Sequence, residues 1–206
     1  MESHGILSDR AIRAALEDGS IKIDPFNPAH VNPASYDLTL GGEVAVYKLW
    51  VETYRNEPQP RVQDGSRMHP LDNWLDVKKE PEIETFEIDP KQGWVLKPGI
   101  GYLMHTRERI WTERYIPILD GKSSIGRLFI QIHATAGFGD PGFDGQYTLE
   151  VIVQHPVRVY PGMRIGQIRF HTMHGEVSKT YDKVGHYTGK AAQGAVGSQA
   201  WRQFKK

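Results

Sequence analysis

Residues 120–127, Asp-Gly-Lys-Ser-Ser-Ile-Gly-Arg, bring two cations, two hydroxyls and two glycines together in one short stretch. Where a strand gives way to a short helix, such side chains and the free backbone N–H groups converge on one point and can bind an anion such as phosphate. The glycine spacing is not that of a Walker loop. A solvated turn in which a serine caps the helix explains the same composition. The segment therefore predicts either an anion cradle or a capped surface turn.

A second segment, residues 148–153, carries one carboxylate in an otherwise apolar run, Thr-Leu-Glu-Val-Ile-Val. Alternation along a strand places Leu149 and Val151 on one face and Glu150 on the other. A carboxylate held by a rigid strand can act as a general base or a proton shuttle. A cross-strand ion pair on an exposed face would produce the same pattern. This segment alone leaves both interpretations open.

The remaining polar residues give weaker signals. Asp140 precedes Pro141-Gly142, where an aspartate commonly initiates a turn. His133 lies in an apolar run, which favours a hydrogen-bonded core histidine over a catalyst. The nine histidines include no HxH or HExxH spacing, and the chain has no cysteine. The lack of cysteine excludes a disulfide framework, a thiol nucleophile and a cysteine-ligated zinc site, so we predict no metal bound by the protein itself.

Charge and hydropathy limit the partners. The 206 residues include 25 Lys and Arg and 25 Asp and Glu, so no net charge attracts a nucleic acid polymer or a membrane surface. No apolar run reaches the roughly 18 to 20 residues that span a bilayer, and residues 1–5 lack the regions of a signal peptide. We expect a single domain over residues 1–206 in a soluble, cytoplasmic protein.

The elements that must position these segments are mostly short strands. Ser8 as N-cap and Gly19 as stop signal predict a helix over residues 9–18. Beyond it, apolar runs separated by turn residues predict strands at 36–40, 44–49, 94–96, 101–106, 115–119, 128–133, 148–154 and 164–172. Many short strands with little helix between them indicate a mostly antiparallel barrel or sandwich.

Two stretches do not follow this strand pattern. Residues 52–92 are charged, contain prolines and are weakly periodic, so we interpret them as a long excursion across the surface. Residues 185–197 are rich in Gly and Ala, which suits a mobile segment that becomes ordered on a ligand. We expect residues 185–206 to form a tail that closes over the site.

Together these segments resemble the trimeric deoxycytidine triphosphate (dCTP) deaminases, relatives of the deoxyuridine triphosphatases (dUTPases). The matching blocks follow one another in order along almost the whole chain: 7–12, 23–26, 35–41, 120–127, 133–143, 148–150, 161–167 and 193–194. The blocks at 120–127 and 148–150 are the most specific. The resemblance implies a mainly β, distorted jelly-roll or β-barrel fold of the dUTPase-like (β-clip) type with a short N-terminal helix. It also implies a homotrimer with active sites shared between neighbouring subunits.

The resemblance assigns roles to individual residues. Glu150 matches the catalytic carboxylate, and Arg127 lies against the reacting base. Ser123 and the backbone of Ala136 help to hold the attacking water. The other matches to nucleotide-contacting positions are Lys122, Ser124, Ile125, Gly126, Asp140, Thr148, Leu149, Gln167, Tyr181, Lys190 and Gln193. The tail departs from the family pattern of Lys-Tyr, a short spacer and Gln-x-Gly, since it has His186 in place of the lysine and two extra residues before Gln193.

The implied reaction is hydrolytic deamination of dCTP to dUTP and ammonia, which supplies dUTP or dUMP for thymidylate synthesis. It requires a nucleophilic water and a proton for the leaving ammonia, and one carboxylate can serve both needs in turn. Other nucleobase deaminases use zinc held by His and Cys. Since the chain lacks cysteine, a route through Glu150 without a protein-bound metal remains, and Mg²⁺ would enter with the triphosphate.

Three other functions stay open. In a dUTPase, Asp140 would position the water that attacks phosphorus. The Ala136-Gly137-Phe138 context resembles bifunctional members that take dCTP directly to dUMP. A nucleotide-gated regulatory binding protein would use the fold without catalysis, although an intact Glu150 argues against lost catalysis. The expected partners are dCTP, its product dUTP, deoxythymidine triphosphate (dTTP) as a candidate inhibitor, and two further copies of the chain.

Overall fold

The computed structural model describes residues 5–48, 75–189 and 192–205. Helix α1 (Asp9–Glu17) begins where the sequence predicts, because the Ser8 hydroxyl accepts the backbone N–H of Ala11 at 3.4 Å. Its buried residues are Ile12 and Ala15. Gly19 follows with a positive φ of 77°, which glycine adopts without strain. The predicted N-terminal helix is confirmed.

Twelve strands follow among the described residues: β1 (Lys22–Asp24), β2 (Val31–Asn32), β3 (Ser35–Thr39), β4 (Glu43–Tyr47), β5 (Ile83–Glu87), β6 (Trp94–Leu96), β7 (Tyr102–Trp111), β8 (Tyr115–Gly121), β9 (Ile130–Gln131), β10 (Asp144–Val153), β11 (Val157–Val159) and β12 (Arg164–Thr172). Two one-turn helices are α2 (Ser123–Gly126) and α3 (Tyr181–Val184), and two 3₁₀ helices are Pro28–His30 and Ala200–Phe204.

These strands pair in three antiparallel sheets. The largest has the order β5-β4-β7-β10-β9, with β1 also paired to β7; the second has the order β2-β3-β12-β8; and β11 pairs with β6. Fully buried side chains such as Leu38, Leu149 and Phe170 form the core between them. The expected mainly β fold is confirmed. Within the described ranges the sheets do not close into a barrel, so of the two expected shapes the jelly-roll-like one fits.

Some elements differ from the sequence prediction. The strand expected at 128–133 is reduced to β9, because Phe129 has a positive φ of 53° that breaks the extended backbone. The strands β1, β2 and β11 were missed because two or three residues show no measurable periodicity. β5, inside the stretch interpreted as a surface excursion, was missed because its Ile-Glu-Thr-Phe-Glu sequence places charges in an edge strand. Residues 52–74 of that stretch lie outside the described residues.

A bulge interrupts the pairing of β7 with β10. Gln146 pairs with Arg109 and Thr148 with His105, so two steps along β10 span four steps along β7. The longer segment of the bulge lies on β7, and Thr106 stabilises it. The Thr106 hydroxyl accepts the Tyr147 N–H at 3.0 Å and donates to the Glu108 carbonyl at 2.8 Å. Past the bulge, β10 keeps one face toward the core and the other toward a cavity.

Candidate active site

A cavity of about 550 Å³ lies against the face of β10 that does not pack into the core. Thr148, Glu150 and Ile152 line it, whereas Leu149 and Val151 on the opposite face are fully buried. The predicted alternation is therefore present, and it places one carboxylate on the cavity wall. Any contact of Leu149 with a ligand in this cavity would come from its backbone.

Glu150 is held by a backbone donor. Its Oε2 accepts the N–H of Ala134 at 2.9 Å, and this bond ties β10 to the loop that continues to Ala136 on the same cavity wall. On β7 the residue opposite Glu150 is Leu103, which offers no charge for the cross-strand ion pair considered above. One carboxylate oxygen is thus fixed, and Glu150 faces a space that a small molecule can enter. The contact with Ala134 was not foreseen, because nothing local in the sequence links residues 134 and 150.

Asp140 lies at the exposed rim of the same cavity, next to the buried turn Pro141-Gly142. The Pro141 carbonyl accepts the Tyr181 N–H at 2.8 Å, so this turn also fixes the start of α3. Gly142 needs its positive φ of 87°, and a Cβ there would lie 2.7 Å from Thr180. The structure thus brings five predicted site residues to one cavity: Ala136, Asp140, Thr148, Glu150 and Tyr181.

Aromatic side chains make up much of the remaining wall: Tyr47, Phe138, Phe143, Tyr102, Tyr147, Tyr181 and Tyr187. Burial, with a smaller contribution from the Asp140 charge, raises the pKa of Tyr147 far above its ordinary value. Burial likewise raises the pKa of Tyr181 and of Tyr47. These hydroxyls therefore stay protonated at neutral pH and cannot act as bases. Among the described residues that line the cavity, Glu150 and Asp140 are the carboxylates.

The C-terminal tail crosses this cavity. The Gly194 N–H donates to Gln146 Oε1 at 2.8 Å, and the Val196 N–H donates to the Thr148 hydroxyl at 3.3 Å. Ala192 and Val196 line the cavity. Gln193 instead faces a neighbouring groove lined by His105 and Arg107. Lys190, the other predicted tail contact, lies outside the described residues.

The predicted anion cradle lies elsewhere. Residues 122–127 follow the end of β8, and none of them lines the cavity of Glu150. Ser123, Ser124 and Arg127 are exposed, whereas Ile125 is buried. The N-cap of α2 is Lys122, and no side chain caps the helix, so the capped-turn alternative is not what forms.

Side chains from two neighbouring strands hold the start of this cradle. Gln167 on β12 donates its amide N–H to the Gly121 carbonyl at 3.0 Å and accepts the Ser35 hydroxyl at 2.9 Å. Lys122 forms an ion pair with Asp37 on β3. Gln167, predicted as a nucleotide contact, thus fixes the backbone that enters the cradle. Asp37 was not singled out from the sequence, although a charged residue inside the apolar run of β3 is an unusual feature.

Two structural findings concern metals and membranes. Within residues 5–48, 75–189 and 192–205, no three His, Asp or Glu side chains are grouped so that they could hold a metal ion. In the same part of the chain, no helix has the length and apolar character needed to cross a bilayer.

The fold is that of a mainly β protein of the dUTPase-like class, with a cavity lined by Glu150 and Asp140 against one sheet and the segment Lys122–Arg127 after a strand of another. Comparison with known proteins agrees, because residues 6–173 match the dCTP deaminase-like family. The chain belongs to that family and is an enzyme.

Relatives of similar length share much of the sequence. A protein of Leptospira biflexa, named dCTP deaminase, dUMP-forming, is 40% identical over 201 residues, which cover 98% of this chain and 99% of the relative. A protein of the same name from Hathewaya histolytica is 38% identical over 97% of this chain and 98% of its own. The solved structure of 2'-deoxycytidine 5'-triphosphate deaminase from Agrobacterium tumefaciens is 25% identical, with a TM-score of 0.58 over 84% of this chain and 50% of that chain.

Proposed function

We propose that this enzyme converts dCTP to dUMP in two hydrolytic steps. In the first, water adds to C4 of the cytosine ring and ammonia leaves, which gives dUTP. In the second, water attacks phosphorus and pyrophosphate leaves, which gives dUMP. The observation that carries this proposal is that Glu150 and Asp140 line one cavity, so that two carboxylates are available for two different reactions. The names of the relatives at 38 to 40% identity support the same product.

Glu150 serves the deamination. The Ala134 N–H holds one of its oxygens, which leaves the other free to take a proton from the attacking water and to pass it to the leaving nitrogen. We assign to the backbone of Ala136, which lines the same cavity, a part in holding that water. Ser123 and Arg127 complete the machinery by contacting the water and the base, respectively.

Asp140 serves the second step. Its carboxylate is at the exposed rim, where the phosphate chain of a nucleotide can extend toward solvent, and it orients the water that attacks phosphorus. Mg²⁺ belongs to the substrate here, since it accompanies the triphosphate and neutralises part of its charge. A thymine nucleotide with the same sugar and phosphates would compete for the cavity, so dTTP is a candidate inhibitor.

The active form we propose is a homotrimer. Ser123 and Arg127 do not line the Glu150 cavity of their own chain, so they can complete the site only from another copy. Leu128 and Phe129, directly after the cradle, are 45% and 59% exposed. These two adjacent apolar side chains are available to pack against a neighbouring subunit. Each site would then use the cavity of one subunit and the cradle of its neighbour.

Product analysis tests the two-step proposal. After incubation of dCTP with Mg²⁺ and the enzyme, ion-exchange chromatography should show dUMP, with ammonia and pyrophosphate released in equal amounts. The Asp140→Asn variant should still release ammonia but accumulate dUTP. Asp182→Asn removes a carboxylate from nearby α3 that does not line the cavity, and it should form the wild-type products.

Other outcomes would revise the proposal. Accumulation of dUTP by the wild-type enzyme would show that it only deaminates. Release of pyrophosphate from dUTP without ammonia from dCTP would show a dUTPase. Binding of dCTP with no product at all would favour a regulatory binding protein.

A further inference from the structure

A row of polar residues crosses the four-stranded sheet beside the cradle. Asp37 on β3 lies opposite Gln167 on β12, and Gln167 lies opposite Asp120 on β8. Asp37 is completely buried, although its neighbours Tyr36 and Leu38 are apolar core residues. A buried carboxylate is costly unless it is paired and hydrogen-bonded. The partners of Asp37 must therefore offset the free-energy cost of burying its carboxylate.

Three donors surround the Asp37 carboxylate. Lys122 forms an ion pair with Oδ1, and the Asn32 amide donates to the same oxygen at 2.7 Å. Arg164 Nη1 lies 3.2 Å from Oδ2. The side chain of Lys122 is 19% exposed and that of Arg164 is 58% exposed, so both cations reach from a buried anchor toward the surface.

We propose that Asp37 is a positioning residue for phosphate binding, which it serves by holding Lys122 and Arg164 at the entrance to the cradle. This inference rests on the proposed function and adds to it a contact of Lys122 with the triphosphate, which the match of Lys122 to a nucleotide-contacting position implies. A lysine ammonium has three N–H donors, so the bond to Asp37 leaves two for a phosphate. The four-carbon stem of lysine is otherwise mobile, and ordering it in advance reduces the entropy that ligand binding must overcome. Arg164 thereby becomes a further cation for the phosphate chain.

A negative charge near a phosphate site has an opposing effect, because it repels the ligand. Here, however, two cations share one carboxylate, so the group of three keeps a net positive charge. The carboxylate lies beneath the two cations, with a side-chain exposure of 1%. Without it, Lys122 and Arg164 would repel each other and extend into water, where their charges are screened. We therefore expect the loss of positioning to outweigh the loss of repulsion.

The central test is Asp37→Asn, which keeps the size of the side chain and removes its charge. The KM for dCTP should rise about 10- to 100-fold, the range expected for loss of a charge-assisted hydrogen bond, and kcat should change less than about threefold. Asp144→Asn is the control, since it removes a carboxylate that is ion-paired with Arg109 on the largest sheet, away from the cradle and outside the lining of the Glu150 cavity. Its KM should stay within about threefold of the wild-type value.

Comparing nucleotides with different numbers of phosphates distinguishes a positioning role of Asp37 from a general effect on the structure. Asp37→Asn should weaken the binding of dCTP at least about tenfold more than that of dCMP, because dCMP has fewer phosphates for the two cations to hold. Equal weakening of both nucleotides would show that Asp37 only supports the fold, and tighter dCTP binding would show that it competes with the phosphates. Either result overturns the proposal.

A second variant keeps the test decisive if Asp37→Asn does not fold. Asn32→Ala removes a neutral donor that orients the carboxylate, and it should raise the KM for dCTP about 3- to 10-fold. An unchanged KM would contradict the positioning role. Failure of the proposed function is recognised separately, because the wild-type enzyme would then release no ammonia from dCTP. Equilibrium binding of dCTP to the same variants still tests Asp37 in that case.

Discussion

The Glu150 cavity and the Lys122–Arg127 cradle are opposite kinds of surface. The cavity is walled by aromatic rings, crossed by the C-terminal tail, and has no Lys or Arg among its described lining residues. The cradle is mostly exposed, and its Lys122 belongs to a network of two cations around a buried carboxylate. The first lies on β10 of the largest sheet, and the second follows β8 of another sheet.

This difference fits the roles that we propose for the two regions. A proton shuttle must take up and release a proton during one turnover, and a cation beside it would favour the ionised form and oppose proton uptake. A triphosphate site needs several cations close together. With the proposed roles, the separate sheets keep the cradle cations of one chain away from the proton shuttle of the same chain. In the proposed trimer, a nucleotide connects the cavity of one subunit with the cradle of its neighbour.

The largest effect should come from removing the shuttle. Glu150→Gln keeps the shape of the side chain but cannot accept a proton, so kcat for ammonia release should fall about 10²- to 10⁴-fold, while the affinity for dCTP changes little. Glu113→Gln, at an exposed position between β7 and β8, is the control and should retain full activity. Substantial ammonia release by Glu150→Gln would contradict the assignment of the base.

Subunit mixing should give the next largest effect. An Arg127→Ala enzyme and a Glu150→Gln enzyme each lack one half of every site. If sites are shared between neighbours, an equal mixture after subunit exchange should regain about one quarter of the wild-type activity, because that fraction of sites combines two intact halves. Light scattering should show a mass near three times 23.4 kDa. A mixture that exchanges subunits without regaining activity would show that each chain completes its own site.

The smallest expected effect is on stability at alkaline pH, and it tests whether water reaches the Tyr147 hydroxyl. The buried Tyr147 hydroxyl has no hydrogen-bond partner among the described residues. Burial raises its pKa in the folded chain, whereas an unfolded tyrosine titrates near about 10. Above that pH the unfolded chain loses a proton that the folded chain keeps, so the free energy of unfolding should fall by about 1.4 kcal/mol per pH unit.

Tyr147→Phe removes this dependence. Chemical denaturation should find its stability within about 1 kcal/mol of wild type at pH 7 and less sensitive to pH above about 10. The exposed Tyr160→Phe is the matched control and should leave the pH dependence as it is in the wild-type protein. The same alkaline slope in Tyr147→Phe and wild type would indicate that water reaches the Tyr147 hydroxyl.

Local sequence patterns predicted many of the helices and strands and much of the cavity. A cap and a stop residue marked α1, and alternation placed Glu150 opposite its buried neighbours. Local sequence patterns do not show which distant segments of the chain come into contact. The bond from Ala134 to Glu150 and the row from Asp37 to Asp120 depend on strand pairing across up to 130 residues of chain, as between β3 and β12. The separation of the cradle from the cavity depends on the same pairings.

The bulge between β7 and β10 makes this part of the chain intolerant of changes in length. Side chains on a strand alternate between faces, so a shift of one residue reverses which of them point inward. A deletion or insertion between Gln146 and Thr148 that moved the rest of β10 by one position would turn Leu149 and Val151 toward the cavity and push Glu150 into the core. Enzymes engineered from this scaffold should therefore vary in loop length elsewhere and keep the residue count here constant.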